Sequence, residues 1–421
     1  MAGLSHAPML GAVTDTSIRV WIRTSSAATV LVQYQPIGAG WGSPSETAAH
    51  VMASGDDFTN IFSVTGLAPD TVYDYRPKVD GTPDTGNAST FRTLPPAGVA
   101  AAFNFVVGAD THASSSSSVS PIYDTMAAHA PAFMVFLGDR FYNDAGLNPQ
   151  HATTESGFWT AYKNAQDANM QAFGKLYPFF GTWDDHDYGL NDAGDTYPFK
   201  IPSRAAFGKY WPNPDYVETD AAVYYKFTAA HCEFFMLDCR WKHGTLGTTM
   251  VGAAQLAWLK ASLLASTATF KFILSSVMVN DFATTPVADA WRGFVTERTD
   301  LFDYIKNNNI RNVIFLSGDQ HWTGVFLMDH NVYQCGDNVR GFYDISATPM
   351  SPDFRPKTTS NNYQVLYKND AAMYYGFIRV TIAEVVAEIR QGTAGTLVYS
   401  LSIPSYSEHK RTLTSGNFAR R

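Results

Sequence analysis

The chain has 421 residues, of which 45% are hydrophobic and 16% charged, so it exceeds one ordinary domain and can build a large core. Its formal net charge is −8, and it contains no run of Lys or Arg, which argues against a nucleic-acid-binding surface. No apolar stretch reaches the length of a transmembrane segment. Three cysteines are too few for a disulfide framework.

Residues 1–96 are predicted to form a small all-β domain. Apolar and polar residues alternate with period two through 17–23 and 29–34, as in half-buried strands. Pro69-Asp70 supplies a turn between two further strand-like segments. The pattern resembles a fibronectin type III or immunoglobulin-like sandwich. Pro95 to Gly98 reads as a short linker, so a second domain is expected over 97–421.

Strand-like and helix-like segments alternate in the second region, which is typical of a layered α/β domain. Apolar strands are predicted at 103–108, 133–138, 178–183, 232–238, 271–279 and 312–317. Helices are predicted at 121–130, 158–174, 253–266 and 297–308. The helix at 253–266 is expected to bury one face, formed by Leu256, Leu259, Leu263 and Leu264. Closing antiparallel strands are predicted near 377–381 and 397–401.

Oxygen and imidazole side chains directly follow four of the predicted strands. The four segments are Gly108-Ala109-Asp110-Thr111-His112, Gly138 to Asp144, Trp183 to Asp192, and Ser317-Gly318-Asp319-Gln320-His321. A single Asp after a strand is usually a turn residue or a helix cap, but four such strand ends are hard to explain as turns. Clustered carboxylates are unfavourable unless cations neutralise them. The segments therefore predict a metal-dependent phosphoesterase, in which two ions roughly 3.5–4 Å apart clamp the ester and a metal-bound hydroxide attacks phosphorus.

Four motifs occur in the order seen in calcineurin-like metallophosphoesterases. They are Asp110-x-His112, Gly138-Asp139, Asp185-His186 and Gly318-Asp319-x-His321. The segments GDRFY, WDDHDYGLND and LSGDQHWTGVF resemble the PhoD-like (alkaline phosphatase D) family of that superfamily. The resemblance covers nearly the whole chain. It implies an α/β fold with a four-layer β-sandwich core flanked by helices, preceded by the all-β domain.

The resemblance also implies a role for each matched residue. Asp139 would bridge two metal ions, and the full set of implied metal ligands is Asp110, His112, Asp139, Tyr142, Asp185, Asp319 and His321. His186 matches a non-ligand imidazole that stabilises or protonates the leaving oxygen. Arg140 is a candidate substrate-binding residue as a bidentate phosphate donor, with pairing to the nearby carboxylates as an equal alternative.

Two or more metal ions are expected, and the resemblance implies Fe(III) with Ca(II). The phenolate of Tyr142 suits ferric iron, but many relatives have Cys where this chain has Asp110, which leaves manganese or another first ion open. The second site, with Asp139, Asp185 and Asp319, is rich in oxygen and suits calcium, manganese or magnesium.

Other charged residues near the motifs are predicted to have structural roles. Asp144, Asp184, Asp187 and Asp192 are expected to cap or order their loops, behind the metal ligands. Arg240 is expected to form salt bridges rather than to bind substrate.

The expected activity is hydrolysis of phosphate monoesters as an alkaline phosphatase, with phosphodiesterase activity as well. One alternative is a phosphodiesterase or phospholipase that acts on phospholipid or teichoic-acid-like substrates, and a second is a non-catalytic cell-surface or carbohydrate-binding protein. No signal peptide is visible at Met-Ala-Gly-Leu-Ser-His, although the resemblance implies a secreted or periplasmic enzyme. The oligomeric state stays open.

Overall fold

The computed structural model describes residues 2–111, 120–143, 151–282, 289–335, 338–355 and 365–406, without the side chains of 120–121 and 329–340. The strands before residue 100 are β1 (Met9–Gly11), β2 (Ser17–Arg23), β3 (Ala28–Pro36), β4 (Ser45–Glu46), β5 (His50–Met52), β6 (Thr59–Thr65), β7 (Val72–Val79), β8 (Thr82–Pro83) and β9 (Ser89–Arg92). The later strands are β10 (Phe103–Gly108), β11 (Met134–Leu137), β12 (Phe179–Thr182), β13 (Tyr225–Ala229), β14 (Cys232–Met236), β15 (Phe270–Leu274), β16 (Val313–Ser317), β17 (Thr323–Cys335), β18 (Asn338–Ser346), β19 (Val365–Asn369), β20 (Tyr374–Val380), β21 (Glu384–Gln391) and β22 (Thr396–Pro404).

The helices lie between the later strands. They are α1 (Ser120–Ala127), α2 (Glu155–Asn164), α3 (Ala168–Gly174), α4 (Asp185–Tyr188), α5 (Lys200–Tyr210), α6 (Gly252–Ala265) and α7 (Val295–Asn307).

Two large sheets form the centre of the molecule. The first has nine strands in the order β22-β21-β20-β10-β11-β12-β1-β2-β6, and the second has seven in the order β13-β14-β15-β16-β18-β17-β19. Strands β10, β11 and β12 are parallel neighbours, as are β14, β15 and β16. Their carboxyl ends therefore lie at common sheet edges, where open α/β sheets bind ligands.

The two sheets pack face to face through a core rich in phenylalanine. Phe105 and Phe133 of the first sheet region pack edge-on against Phe234 of the second, with ring centroids 5.3 and 5.5 Å apart. Phe180 and Phe227 stack at 3.6 Å. Edge-on and stacked aromatic pairs contribute beyond their buried area, so these rings fix how one sheet sits on the other.

Helices cover the outer faces of both sheets. The helices α1, α2, α3 and α5 contribute to an apolar cluster on the nine-stranded sheet, whereas α6 and α7 pack on the seven-stranded sheet. The order helix, sheet, sheet, helix confirms the predicted four-layer α/β architecture.

The N-terminal β region continues into the nine-stranded sheet. Its own sheet is β4-β3-β7-β8, with β5 on β3 and β9 on β7, and this faces β1, β2 and β6 across a shared core. Strand β1 pairs in parallel with β12, with Gly11 opposite Phe179. An all-β region before the α/β part is thus confirmed, while the boundary between 96 and 97 stays a prediction.

Three sequence predictions need correction. The single helix predicted at 158–174 is two helices, because the Asp167 carboxylate accepts the backbone N–H groups of Asn169 and Met170 and starts α3 afresh. The strand predicted at 271–279 ends at Leu274. Leu264 is 54% exposed, so it lies off the buried face of α6 that Leu259 and Leu263 share.

Candidate metal centre

The described parts of all four predicted strand-end segments lie together in the structure. Asp110, Asp139 and His321 each offer a ligand atom within 4.8 Å of the others, and all three are buried. Tyr142 joins this group, because its hydroxyl lies 2.7 Å from His321 Nε2 and 3.3 Å from Asp139 Oδ2. His112, predicted to complete the set, lies outside the described residues.

A second group of buried carboxylates adjoins the first. The ligand atoms of Asp184, Asp185 and Asp319 lie within 4.8 Å of one another. The same holds for those of Asp139, Asp185 and His186. Asp139 is thus shared between the His321 group and the His186 group, and Asp185 is shared between the His186 group and the group of three carboxylates. Asp184 was predicted only to order its loop, and its membership in this group could not be read from the sequence.

Left-handed backbone turns aim the strand-end residues into one space. The φ angles are 58° at Asp110, 57° at Asp139, 81° at Asp319 and 53° at His321. Non-glycine residues rarely adopt this region, and such outliers cluster at functional sites. Gly138, before Asp139, has φ 99°, and a side chain there would meet backbone N and Cβ of Asp184 at 2.6 Å. Only glycine allows the two loops this approach.

Burial and mutual repulsion dominate the electrostatics of the centre. Burial raises the pKa of Asp139 well above its ordinary value, and the Asp185 and Asp184 carboxylates raise it further. Burial also raises the pKa of Asp319, with repulsion from Asp289 and Asp184. The pKa of Tyr142 is raised well above 10 by burial and by the charge of Asp139. These shifts describe acidic groups that lack enough positive charge around them.

Arg240 is a buried protein cation within the described centre. Its side chain is fully buried, its guanidinium contacts the carboxylates of Asp184 and Asp289, and Nη2 lies 3.6 Å from Asp185 Oδ1. The predicted salt-bridged role is confirmed. Asp289, which the sequence pattern did not single out, also forms a carboxylate group with Asp185 and Asp192.

Two imidazoles have defined surroundings. His321 Nδ1 lies 2.9 Å from the carbonyl oxygen of Asp353 and 3.2 Å from its Oδ2, so Nε2 faces Tyr142 and the centre. Partners on the outer nitrogen orient an imidazole ligand in this way. The His186 ring lies over the Tyr142 ring, with centroids 3.9 Å apart.

The arginines are placed differently from each other. Arg140 is 1% exposed, with its guanidinium 5.0 Å from the Trp211 ring centroid and 5.6 Å from that of Tyr162. Its side-chain nitrogens have no hydrogen-bond partner among the described residues. Arg355 is exposed, and the carboxylates that interact electrostatically with its guanidinium include those of Asp319 and Asp110. No sequence pattern pointed to Arg355, because it follows no predicted strand.

Comparison with known proteins identifies relatives of both regions. A family model described as PhoD-like phosphatase matches residues 103–389, and one described as a domain of unknown function (DUF7800) matches residues 1–93. Alkaline phosphatase D of Bacillus subtilis (strain 168) is 23% identical over 313 residues. That alignment covers 62% of this chain and 54% of the relative, so the chain matches about half of the relative's length.

Solved structures share the fold. A structure of PhoD matches with a TM-score of 0.77 and 17% identity, over 96% of this chain and 94% of that one. The purple acid phosphatase PPD1 from yellow lupin (Lupinus luteus) matches with a TM-score of 0.71 and 13% identity, over 95% and 75% of the two chains. Among the described residues, no helix combines the length and apolar character needed to cross a bilayer. Since the PhoD-like model spans more than half of the sequence, the chain belongs to the PhoD-like phosphatase family.

Proposed function

We propose that this protein hydrolyses phosphate monoesters and diesters at a centre that holds two or more metal ions. The observation that carries the proposal is the overlap of the buried ligand groups, which share Asp139 and Asp185. Two neighbouring cations require a bridging ligand, and a carboxylate that belongs to two ligand groups can supply one. Membership in the PhoD-like phosphatase family supports the reaction class.

The residues of the centre fit resident cations. Asp139 Oδ1, Asp184 Oδ2 and Asp185 Oδ1 are buried and accept no hydrogen bond from the described residues. Buried carboxylate oxygens without donors are strongly unfavourable unless cations neutralise them. Arg240 alone cannot balance the surrounding carboxylates.

The donor types suggest which ions bind. Asp110, Asp139, Tyr142 and His321 form a set of carboxylates, phenolate and imidazole, which suits Fe(III) and also accepts Mn(II). Asp184, Asp185 and Asp319 supply oxygen donors only, which suits Ca(II), with Mn(II) or Mg(II) as alternatives. His112 is proposed as a further ligand on its sequence position alone.

The bound ions would supply Lewis-acid activation of the phosphate and of the attacking water. His186, whose ring lies close to that of Tyr142, is proposed to protonate or stabilise the leaving oxygen. The exposed guanidinium of Arg355 is proposed to contact the substrate phosphate from the solvent side, where a bidentate donor would orient the ester. Phosphate contact by Arg140 stays a prediction. Because the Arg140 side chain is buried, we consider the exposed Arg355 the better candidate.

Elemental analysis of purified protein, combined with rates on p-nitrophenyl phosphate and bis-(p-nitrophenyl) phosphate, tests the proposal. We expect at least two equivalents of metal and turnover of both substrates. Protein without stoichiometric metal, or metal-loaded protein without turnover, would overturn the proposal.

A single variant tests the role of His186. His186→Ala should keep its metal content while kcat falls by about 10²–10⁴-fold, the range of general acid catalysis. Loss of metal from His186→Ala would instead make His186 a ligand.

A further inference from the structure

One buried carboxylate beside the centre binds backbone rather than facing the ligand groups. Asp187, the third residue of α4, is 1% exposed and accepts four backbone N–H groups. Three donors are consecutive residues of the neighbouring loop: Asp139 at 2.7 Å, Arg140 at 2.9 Å and Phe141 at 3.3 Å. The fourth is Asp184, at 3.2 Å. The prediction that Asp187 orders a loop is confirmed, but the loop is that of Asp139.

The four bonds divide evenly between the two carboxylate oxygens. Oδ2 accepts from Asp139 and Asp184, and Oδ1 accepts from Arg140 and Phe141. Each oxygen therefore faces two N–H donors. An ionised carboxylate is the side chain that offers acceptors in both positions and a donor in neither.

A helix cap explains only part of this arrangement. In a capping box, the residue at the third helical position accepts the backbone N–H of the cap residue, as Asp187 does from Asp184. The bonds from Asp139, Arg140 and Phe141 cross to another strand end and stabilise no helix. Successive N–H groups that converge on one point form an anion-binding concavity, which here encloses a side chain.

The loop that donates three of these hydrogen bonds has a backbone conformation that needs support. The backbone of Asp139 is left-handed, with φ 57°, a conformation that is unfavourable for a residue other than glycine. Thr111 holds the other side of the loop, because its hydroxyl donates to the carbonyl of Arg140 at 2.8 Å. The Asp139 carboxylate is thereby carried on a backbone that hydrogen bonds fix from two sides.

We propose that Asp187 is a positioning residue, which holds the Asp139 loop in the conformation that presents the Asp139 carboxylate to both metal ions. This inference rests on the proposed function for the identity of the centre. Asp187 itself touches no reacting atom in this role. Its contribution is to join the α4 segment, which carries Asp185, to the loop that carries Asp139.

Two variants separate positioning from space-filling. In Asp187→Asn the amide has nearly the same shape as the carboxylate, but either orientation of the amide places an NH₂ group against two backbone N–H donors. In Asp187→Ala the donors lose their acceptor, and water can enter to replace it. The positioning role therefore predicts that the Asn variant is no better than the Ala variant.

The measurement is Mn(II) affinity of chelator-treated protein by titration calorimetry at alkaline pH, together with kcat and KM of the reloaded enzyme. We expect Asp187→Asn to weaken Mn(II) binding by about 10–100-fold, as for other residues that orient metal ligands, and to lower kcat with KM nearly unchanged. Asp57→Asn serves as the matched control, since Asp57 is a buried carboxylate, 8% exposed, whose partners are Arg23, Lys163 and Tyr210. It should keep the affinity and kinetics of the parent protein.

Three results would overturn the inference. If Asp187→Asn binds Mn(II) as tightly as the parent protein, the negative charge of Asp187 is dispensable. If Asp187→Ala binds Mn(II) much more weakly while Asp187→Asn binds it almost normally, the role of Asp187 is to fill space. Failure of both variants to fold would assign Asp187 to the stability of the fold. If the parent protein binds Mn(II) but hydrolyses neither test ester, the proposed function fails while the affinity comparison still decides the role of Asp187.

Discussion

The sites around Asp57 and Asp139 both bury a carboxylate, but the charges that surround the two carboxylates differ. Both residues are buried, and both have a left-handed backbone, with φ 51° at Asp57 and 57° at Asp139. Asp57 lies at the junction of the N-terminal β region with α2 and α5. There it accepts from Arg23 at 3.0 and 3.1 Å, from Lys163 at 3.2 Å, and from the Tyr210 hydroxyl.

The pKa shifts of the two carboxylates have opposite signs. Burial alone would raise the pKa of Asp57, but the hydrogen bonds from Arg23, Tyr210 and Lys163 outweigh it and lower the pKa. At Asp139 burial and the neighbouring carboxylates act in the same direction, and the pKa rises well above its ordinary value. The first site carries its own cations. In the second the carboxylates outnumber the buried cation Arg240, and the proposed metal ions would balance the excess. Burial of acidic groups therefore indicates a metal centre only where the protein does not supply the positive charge.

The largest effect is expected from Asp139→Asn. Loss of the shared carboxylate should remove metal and lower turnover of both p-nitrophenyl esters by at least about 10³-fold, the upper end of the loss seen when one preorganised group is removed. Metal analysis and initial rates on the same sample provide the check. Retention of most activity would mean that the centre lies elsewhere.

Metal removal should lower the stability of the protein through the Asp139 site and not through the Asp57 site. A cation at about 100 times its dissociation constant stabilises the folded state by about 2.7 kcal/mol, so chelation should lower the unfolding temperature by several degrees. Thermal unfolding with and without Mn(II) and Ca(II) measures this shift. Asp57→Asn should show the full shift and Asp139→Asn a reduced one. If chelation leaves the unfolding temperature of the parent protein unchanged, the proposed difference between the Asp57 and Asp139 sites is wrong.

Asp57→Asn should reduce stability without touching the metal centre. Removal of one partner leaves Arg23 and Lys163 beside a neutral amide, which should cost roughly 1–3 kcal/mol, discounted for the partial solvent contact of both cations. Denaturant unfolding measures the loss, with metal content as the paired readout. Loss of metal from this variant would show that the two sites are coupled through α2 and α5.

The sequence predicted the layers because the central strands are continuous apolar runs bounded by turn residues. The predicted strands at 103–108 and 312–317 match β10 and β16 to within one residue. Helix α5 was missed, since Pro202, Ser203 and Gly208 give Lys200–Tyr210 a poor helical pattern and tertiary packing of Phe207 and Tyr210 stabilises it instead.

The site was predictable where a ligand directly follows a strand. Asp139, Asp185, Asp319, Tyr142 and His321 lie together as the strand ends require, although their roles as ligands stay predictions. Asp289 and Arg355 come from loops whose position depends on tertiary packing rather than on spacing from a strand. The hydrogen bonds from the Asp139 loop to Asp187, 48 residues later in the chain, could not be predicted either. Only the folded backbone brings these N–H groups to the Asp187 carboxylate.

The smallest expected effect is the pH dependence of the Asp57 contribution. Its folded-state pKa lies below the ordinary value of 3.8, so ionised Asp57 stabilises the protein above that value, and the contribution is lost as the pH falls through the lower, folded-state pKa. The difference in unfolding free energy between the parent protein and Asp57→Asn should therefore be constant near neutrality and shrink below pH 3.8. Denaturant unfolding of both proteins, each treated with chelator, measures this difference across the pH range. The Asp139 site titrates in both proteins, so its contribution cancels if the effects of the two sites are additive. A difference that grows on acidification would mean that Asp57 is held in the neutral form, and the contrast between the two sites would fail.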